Sequence, residues 1–286
     1  DKWGVCLVEK DNEVIASMPY EFQNRLGFKL IKMPLLTQTL GPWIRPSNSK
    51  YTNQLSQHKK LLNQLIDQLP KFDYFSQNWH YSQTNFIAFF WRGFQQRTKY
   101  TYVIEDLSDL DRVWNGFQSK IKGDIKKARD RFNLVIDESL AIDDFIHLNS
   151  QVFHRQDMAA PYSGQSIASL HKACNENNAS KMFIAIDEKG EMHAAVYIVW
   201  DHDSAYYLLG GGDPELRKSG ATSLCLWEAI KFASTIVNKF DFEGSMVEPI
   251  ESFIRGFGAK QIPYHSITKT TSYLLRIRLA LLQMRS

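Results

Sequence analysis

The sequence predicts an α/β protein of the α+β kind, with two lobes that each contain a mixed, mostly antiparallel sheet and flanking helices. Its 286 residues are long for one domain and sufficient for two. Hydrophobic residues make up 44% and charged residues 23%, which are ordinary values for a globular protein with real cores. In both halves, short apolar runs bounded by turn residues alternate with segments of helical periodicity.

The first half, residues 1–106, reads as a strand-rich lobe. Apolar runs at 3–8 and 14–18 flank Asp11-Asn12, which predicts a β-hairpin. A helix is expected at 49–69, because leucines form a stripe and Pro70 ends it. Residues 36–46 read as a loop, and further strands are predicted at 28–33, 72–75, 86–91 and 100–104. The chain begins without Met on a strand-like run, so we expect upstream residues to be missing from this lobe.

The second lobe is expected at residues 107–270, followed by a helical tail at 271–286. Strands 192–200 and 205–209 should be antiparallel neighbours, because residues 201–203 are a short turn. The other strands are predicted at 134–136, 182–186, 240–242 and 262–268. Helices are predicted at 109–117, 119–131, 142–154, 165–177, 222–237 and 249–257.

A glycine-rich stretch links a strand to a core helix in this lobe. Residues 210–214 should end the strand, and Ser219 or Gly220 should begin the helix. Free backbone N–H groups and the helix dipole at such a place favour a phosphate. The candidate anion-binding residues are Gly211, Gly212, Arg217, Lys218, Ser219, Gly220, Ala221 and Thr222. A strand–turn–helix without a ligand explains the pattern equally well.

Asp241 and Glu243 alternate with two phenylalanines, so both acids are expected on one face of a strand. A carboxylate with a raised pKa can remove a proton from an attacking amine, which makes both acids candidate catalytic residues. Glu243, beside Gly244, should be the more accessible. The alternative is that both acids only pair with lysines or arginines.

The polar loop at residues 154–163 follows a predicted core helix. Arg155, Gln156 and Tyr162 are candidates for orienting an acceptor, since loops on rigid scaffolds often bind ligands; an ordinary surface loop is the alternative. Tyr207 and Tyr264 complete the candidate substrate-binding residues, although buried tyrosines of this kind are more often core aromatics.

The predicted helix at 119–131 is strongly basic. Six basic residues stand against Asp124 and Asp130, a local charge of +4. Ile121, Ile125 and Ala128 form an inward stripe, which leaves one face for an anionic partner such as tRNA. A solvated surface is the alternative. The basic residues are Lys120, Lys122, Lys126, Lys127, Arg129 and Arg131.

Three segments carry a resemblance to a known family. Residues 217–222 resemble the Arg/Gln-x-x-Gly-x-Gly/Ala loop of the GNAT acyltransferases, with Thr222 where Gly or Ala is usual. Residues 114–131 resemble the basic helix that opens the second domain of Fem-like proteins, and 241–259 are similar to the closing segment of that group. The chain therefore resembles the Fem-like (methicillin-resistance-protein-like, peptidoglycan-bridge) group of the GNAT superfamily over most of residues 107–265.

The resemblance implies two GNAT-like lobes and an N-acyltransferase with a coenzyme A-type donor. It implies an amine acceptor, on a cell-envelope sugar or peptide, and no tightly bound cofactor. One alternative is a Fem-type aminoacyl transferase that uses aminoacyl-tRNA. A second alternative is a non-catalytic GNAT-like module that binds envelope precursors.

Several classes find no support in the sequence. No run of 18 apolar residues predicts a membrane span. Three cysteines without Cys-x-x-Cys spacing indicate reduced thiols and a cytoplasmic protein. The eight histidines lack metal-ligand spacing. A net charge of +3 is too small to indicate nucleic acid by itself.

Overall fold

The computed structural model describes residues 2–155 and 159–283. The chain divides into two compact units, one formed by Asp1–Lys99 with Pro263–Ser286 and the other by Tyr100–Ile262. The domain boundaries expected at residues 106 and 270 stay predictions.

The first unit is built on a sheet and one long helix. Strands β1 and β2 form the predicted antiparallel hairpin, and the positive φ angles of Asp11 (54°) and Asn12 (61°) suit its tight turn. β3 pairs with β2 in antiparallel fashion and with β5 in parallel fashion, and β5 pairs with β12 in antiparallel fashion. The elements are β1 (Lys2–Lys10), β2 (Glu13–Arg25), β3 (Phe28–Lys32), β4 (Trp43–Ile44), α1 (Tyr51–Asp67), β5 (Tyr74–Asn78), α2 (Ile87–Trp91), the start of β6 (Gln95–Ile104), most of β12 (Lys260–Thr270) and α9 (Tyr273–Gln283).

The strand predicted at 86–91 is wrong, because this segment contains helix α2. The run is rich in aromatic residues, which favours a strand by propensity. Its burial has a helical period instead: Ala88 and Phe89 are buried, whereas Ile87, Phe90 and Trp91 lie on one exposed face. Packing of Phe89 against Trp79, with ring centroids 4.7 Å apart, fixes that choice.

The second unit is a sheet in the order β6-β11-β10-β9-β8-β7 with helices around it. β9 and β10 are adjacent and antiparallel, as predicted, and β10 and β11 are parallel. The elements are the end of β6, α3 (Leu110–Gly116), α4 (Ser119–Asp130), β7 (Val135–Asp137), α5 (Ile142–Arg155), α6 (Gly164–Glu176), β8 (Ser180–Ile186), β9 (Met192–Trp200), β10 (Ser204–Gly212), a 3₁₀ turn (Arg217–Ser219), α7 (Ala221–Ala233), β11 (Lys239–Asp241) and α8 (Glu248–Arg255).

Helix α7 is the central helix of this unit and is buried on most sides, as its apolar sequence predicts. The predicted inward stripe of α4, formed by Ile121, Ile125 and Ala128, packs into the same core. Both units have mixed sheets and flanking helices, so the predicted fold class is confirmed. Over residues 2–155 and 159–283, no helix is long and apolar enough to span a bilayer.

Candidate active site

Strands β10 and β11 run in parallel and then separate. Their register pairs three residues of each strand, the last pair being Tyr206 with Asp241. β10 continues to Gly212, whereas β11 ends at Asp241. A register shift against β9 between Tyr207 and Leu209 bends β10 at the same point. Past Tyr206, the edge of β10 that faced β11 has no ladder partner among the described strands.

Asp241 lies at the point of separation and is 5% exposed. The Thr101 hydroxyl donates a hydrogen bond of 2.5 Å to its Oδ1, and the Glu243 N–H donates one of 2.8 Å to the same oxygen. Burial raises the pKa of Asp241 to about 6, although both hydrogen bonds oppose the rise. The carboxyl group is therefore held in place and is easier to protonate than an exposed aspartate.

Glu243 follows in a turn rather than in the strand, so the expectation that both acids leave one face of a strand is wrong. Its φ is +56°, as is that of Gly244. A Cβ at Gly244 would lie 2.3 Å from the Tyr100 carbonyl oxygen, so the turn packs directly on the β6 backbone. The positive φ angles take the chain out of the extended conformation of β11, and the Glu243 N–H reaches the Asp241 carboxyl group.

Burial raises the pKa of Glu243 to about 8, and the negative charge of Asp241 adds to the rise. Between pH 6 and 8 the two carboxyl groups therefore hold about one proton between them. Glu243 is half-buried and Asp241 is buried, so Glu243 is the more accessible acid, as expected. A group with these properties can exchange a proton with a substrate near neutral pH.

Tyr207 and Tyr162 come together beside the unpaired part of β10. The Tyr207 hydroxyl occupies the space where a side chain at Gly210 would begin. Burial raises the pKa of Tyr207, and the nearby Tyr162 contributes to the rise. The Asn149 side chain donates a hydrogen bond of 2.7 Å to the Gly210 carbonyl and also bonds Tyr162, whose pKa is raised by burial. Both tyrosines therefore stay protonated at neutral pH.

Gly211 and Gly212 lie inside β10 and not in a loop, so the expectation that the strand ends at Gly210 is wrong. A Cβ at Gly211 would lie 2.6 Å from the Asn149 nitrogen and 2.7 Å from the Leu148 carbonyl carbon. Helix α5 packs so closely on the strand that only glycine fits there. At Gly211, glycine allows this packing and does not end the strand.

Helix α7 begins where predicted, but α4 covers its first turn. Ser219, Gly220 and Ala221 are buried, and Thr222 is half-buried. Gly220 has φ +84°, and a Cβ there would lie 2.3 Å from the Asp124 carbonyl oxygen of α4. Of the eight candidate anion-binding residues, Arg217 and Lys218 are the exposed ones.

The remaining candidate residues are distributed elsewhere. Tyr264 belongs to the first unit, is 4% exposed and accepts a hydrogen bond of 3.1 Å from Gln38. Arg155 is the last residue of α5, with its side chain outside the described part of the chain, and Gln156 lies outside the described residues altogether.

The basic face of α4 is partly neutralised. Arg129 pairs with Glu228 at 2.6 Å, and Lys127 pairs with Asp124 at 2.7 Å. The half-buried Lys122 donates to the Asn115 carbonyl. Lys120, Lys126 and Arg131 are exposed.

Sequence reasoning missed two residues of this site. Thr101 donates a hydrogen bond to Asp241, which lies 140 positions away in the sequence, so no local sequence pattern indicates this contact. Asn149 is different, because it is a polar residue within the buried stripe of α5, beside Phe145 and Leu148. A single amide in an apolar stripe usually has a buried partner, and this signal was available in the sequence.

Part of the chain is similar to a known protein family. Residues 115–245 match a family model described as an acetyltransferase (GNAT) domain. This part of the chain is therefore similar to a GNAT domain. Comparison with curated protein sequences gave no match.

The fold is similar to that of FemX, with a TM-score of 0.68 at 14% identity over 92% of this chain and 87% of that one. L-PGS from Bacillus licheniformis matches with a TM-score of 0.55 at 9% identity over 94% and 84%. A tandem GNAT protein from the clavulanic acid biosynthesis pathway matches with a TM-score of 0.52 at 9% identity over 94% and 84%. These likenesses confirm the predicted resemblance to the Fem-like GNAT group at the level of fold.

Proposed function

We propose that this protein transfers an acyl group to an amine and that Glu243 accepts the proton of the amine. The observation that carries the proposal is the carboxyl pair of Asp241 and Glu243 at the separation of two parallel strands, inside a segment that matches the GNAT family. Desolvation gives Glu243 a pKa matched to proton transfer at neutral pH.

The reaction balances without a metal or a redox partner. The amine nitrogen attacks the acyl carbonyl carbon, the new C–N bond forms, and the bond from that carbon to the leaving sulfur or oxygen breaks. Glu243, as the carboxylate, takes the proton from nitrogen and can return it to the leaving group. Asp241 positions the turn through the Glu243 N–H and, by its charge, keeps the Glu243 carboxylate basic.

An acyl-coenzyme A donor is the first candidate, with the exposed Arg217 and Lys218 as contacts for its phosphates. The residues between them and α7 are buried under α4, which leaves few free N–H groups for a pyrophosphate. That coverage favours an aminoacyl-tRNA donor as the second candidate, with Lys120, Lys126 and Arg131 as exposed contacts. The acceptor in either case is an amine on a cell-envelope sugar or peptide.

The two donors are separated by calorimetry with acetyl-coenzyme A and with alanyl-tRNA, followed by incubation of the bound donor with glucosamine or a lysine-containing peptide. Saturable binding of one donor and formation of an amide product support the proposal. A steep loss of affinity with salt is expected for tRNA, because phosphate contacts release counterions.

Binding of neither donor would contradict the proposal and leave the third candidate, a non-catalytic module that binds envelope precursors. A Glu243→Gln protein that forms product at the parent rate would remove Glu243 from its role. The matched control is Glu176→Gln, because Glu176 is an exposed glutamate at the end of α6, outside both the carboxyl pair and the candidate anion-binding stretch.

A further inference from the structure

The first unit contains a cavity of about 950 Å³, within the size range of ligand pockets. Its floor is one face of β5 and β12. The opposite face of these strands carries Phe75 and Ile267, which are buried in the core with α1. Alternation along the strands therefore sends the apolar side chains to the core and the hydroxyl-bearing ones to the cavity.

The floor is lined by hydroxyl groups in register. Ser76 is opposite Thr268, Tyr74 is opposite Thr270, and Ser266 precedes them along β12. Ser266 is 8% exposed and lines the same cavity. Each hydroxyl group can donate a hydrogen bond, so a floor with this row of hydroxyls is suited to a ligand that supplies acceptor atoms.

Three cations surround the same cavity: Arg97, Lys99 and Arg276. Arg276 donates to the Thr270 carbonyl at 2.7 and 2.9 Å, and Lys99 donates to the Asn78 side chain at 3.3 Å. Both partners are neutral. Over the described part of the chain, none of the three cations forms an ion pair and no carboxylate lines the cavity.

The positive charge in the cavity is therefore uncompensated. Burial, and the nearby charge of Arg97, lower the pKa of Lys99. An anion bound between these side chains would offset both effects.

The remaining wall is apolar. It is lined by Phe86 and Phe90 of the α2 segment and by Leu279 and Ala280 of α9. The Phe90 side chain is 60% exposed. A purely inorganic anion would leave this wall in contact with water. The cavity therefore suits a ligand with an anionic end and an apolar portion.

We propose that this cavity binds an organic phosphate, with the phosphate held by Arg97, Lys99 and the hydroxyl floor and the apolar part of the ligand packed on Phe90 and Leu279. Phosphate oxygens accept several charge-assisted hydrogen bonds at once, which matches the number of donors here. The phosphate has two sources with this shared chemistry, a soluble nucleotide or a lipid headgroup. The site lies within the first unit and is independent of the transfer chemistry proposed for Glu243.

The test uses the full chain and two probes. Adenosine diphosphate is titrated by calorimetry, and vesicles of phosphatidylcholine with and without phosphatidic acid are tested by cosedimentation. Binding to the nucleotide assigns the soluble source, and binding only to vesicles that contain phosphatidic acid assigns the lipid. Either result supports the site if Lys99→Met weakens binding about tenfold or more, as expected for loss of a charge-assisted hydrogen bond.

The matched control is Lys60→Met, because Lys60 is an exposed lysine of α1 outside the cavity. Ser266→Ala is the milder second variant, and it should weaken the same binding with an unchanged thermal midpoint. No binding of either probe, or equal losses in Lys99→Met and Lys60→Met, would overturn the proposal. Inorganic phosphate that binds as tightly as the organic probe would overturn the role of the apolar wall.

Discussion

Replacing Glu243 by Gln should stabilise the protein, and the gain should grow with pH. The change keeps the size of the side chain and removes its charge. In the folded state burial raises the pKa of Glu243 from 4.5 to about 8. A folded-state pKa above the unfolded value means that the ionised carboxylate is disfavoured by folding. The stability of the parent is therefore fully present below pH 4.5 and falls as pH rises toward 8.

The magnitude follows from that shift. Each pH unit inside the window costs the parent about 1.4 kcal/mol of unfolding free energy, so the variant should be more stable by about 1 kcal/mol at pH 5 and about 3 kcal/mol at pH 7. Ionised Glu243 therefore reduces the stability of the fold near neutral pH, as expected for an acid that has a functional role rather than a stabilising one.

Urea unfolding of the parent and the variant at several values between pH 4.5 and 8 measures this difference. The control is Glu176→Gln, because surface substitutions of this kind change stability by only about 0.5 kcal/mol. A Glu243→Gln difference that is flat across this pH range would refute the raised pKa and, with it, the argument that burial tunes this acid.

Three further substitutions test the contacts on which the candidate site depends. Gly244→Ala should destabilise the protein by about 2 kcal/mol or more in urea unfolding, because φ is +56° and a Cβ would lie 2.3 Å from the Tyr100 carbonyl oxygen; a neutral result would contradict the close packing. Thr101→Val removes a donor that favours the Asp241 carboxylate, so carbon-13 NMR titration should show a pKa for Asp241 above about 6, and a lower pKa would count against that hydrogen bond. Arg217→Ala should weaken the binding of acetyl-coenzyme A by about 1.5–3 kcal/mol in calorimetry, the loss expected for a hydrogen bond to a charged group, and an unchanged affinity would remove Arg217 from the donor site.

Local patterns predicted most of the fold. The β1–β2 hairpin follows from Asp11-Asn12, and the inward stripe of α4 follows from the spacing of Ile121 and Ile125, because each is decided within a few residues of sequence. The prediction for segment 86–91 failed, because a run of aromatic residues favours a strand by propensity. The helix becomes evident only once the residues that bury Phe89 are known. The segment was given the two-residue period of a strand, whereas tertiary packing gives its burial the period of a helix.

The candidate site was harder to predict, because its parts are distant in sequence. Asp241 and Glu243 are recognisable as acids near a glycine, but their raised pKa values depend on burial and on Thr101. The same limit applies to Gly211, since the helix that requires a glycine there lies about 60 residues earlier in the chain. A glycine in the sequence shows only that another group can approach the backbone closely at that position. The packing then shows whether that group is a ligand or another part of the chain.

The most direct measurement of the central claim is the pH dependence of amide formation by the parent and by Glu243→Gln, with the donor that binds. With Glu243 as the proton acceptor, the parent rate should rise with pH, reach half its maximum near pH 8 and level off above that pH. The variant should be slower by about 10²–10⁴-fold, with unchanged donor affinity and without that rise. A variant that forms product at the parent rate with the same pH profile would contradict the account.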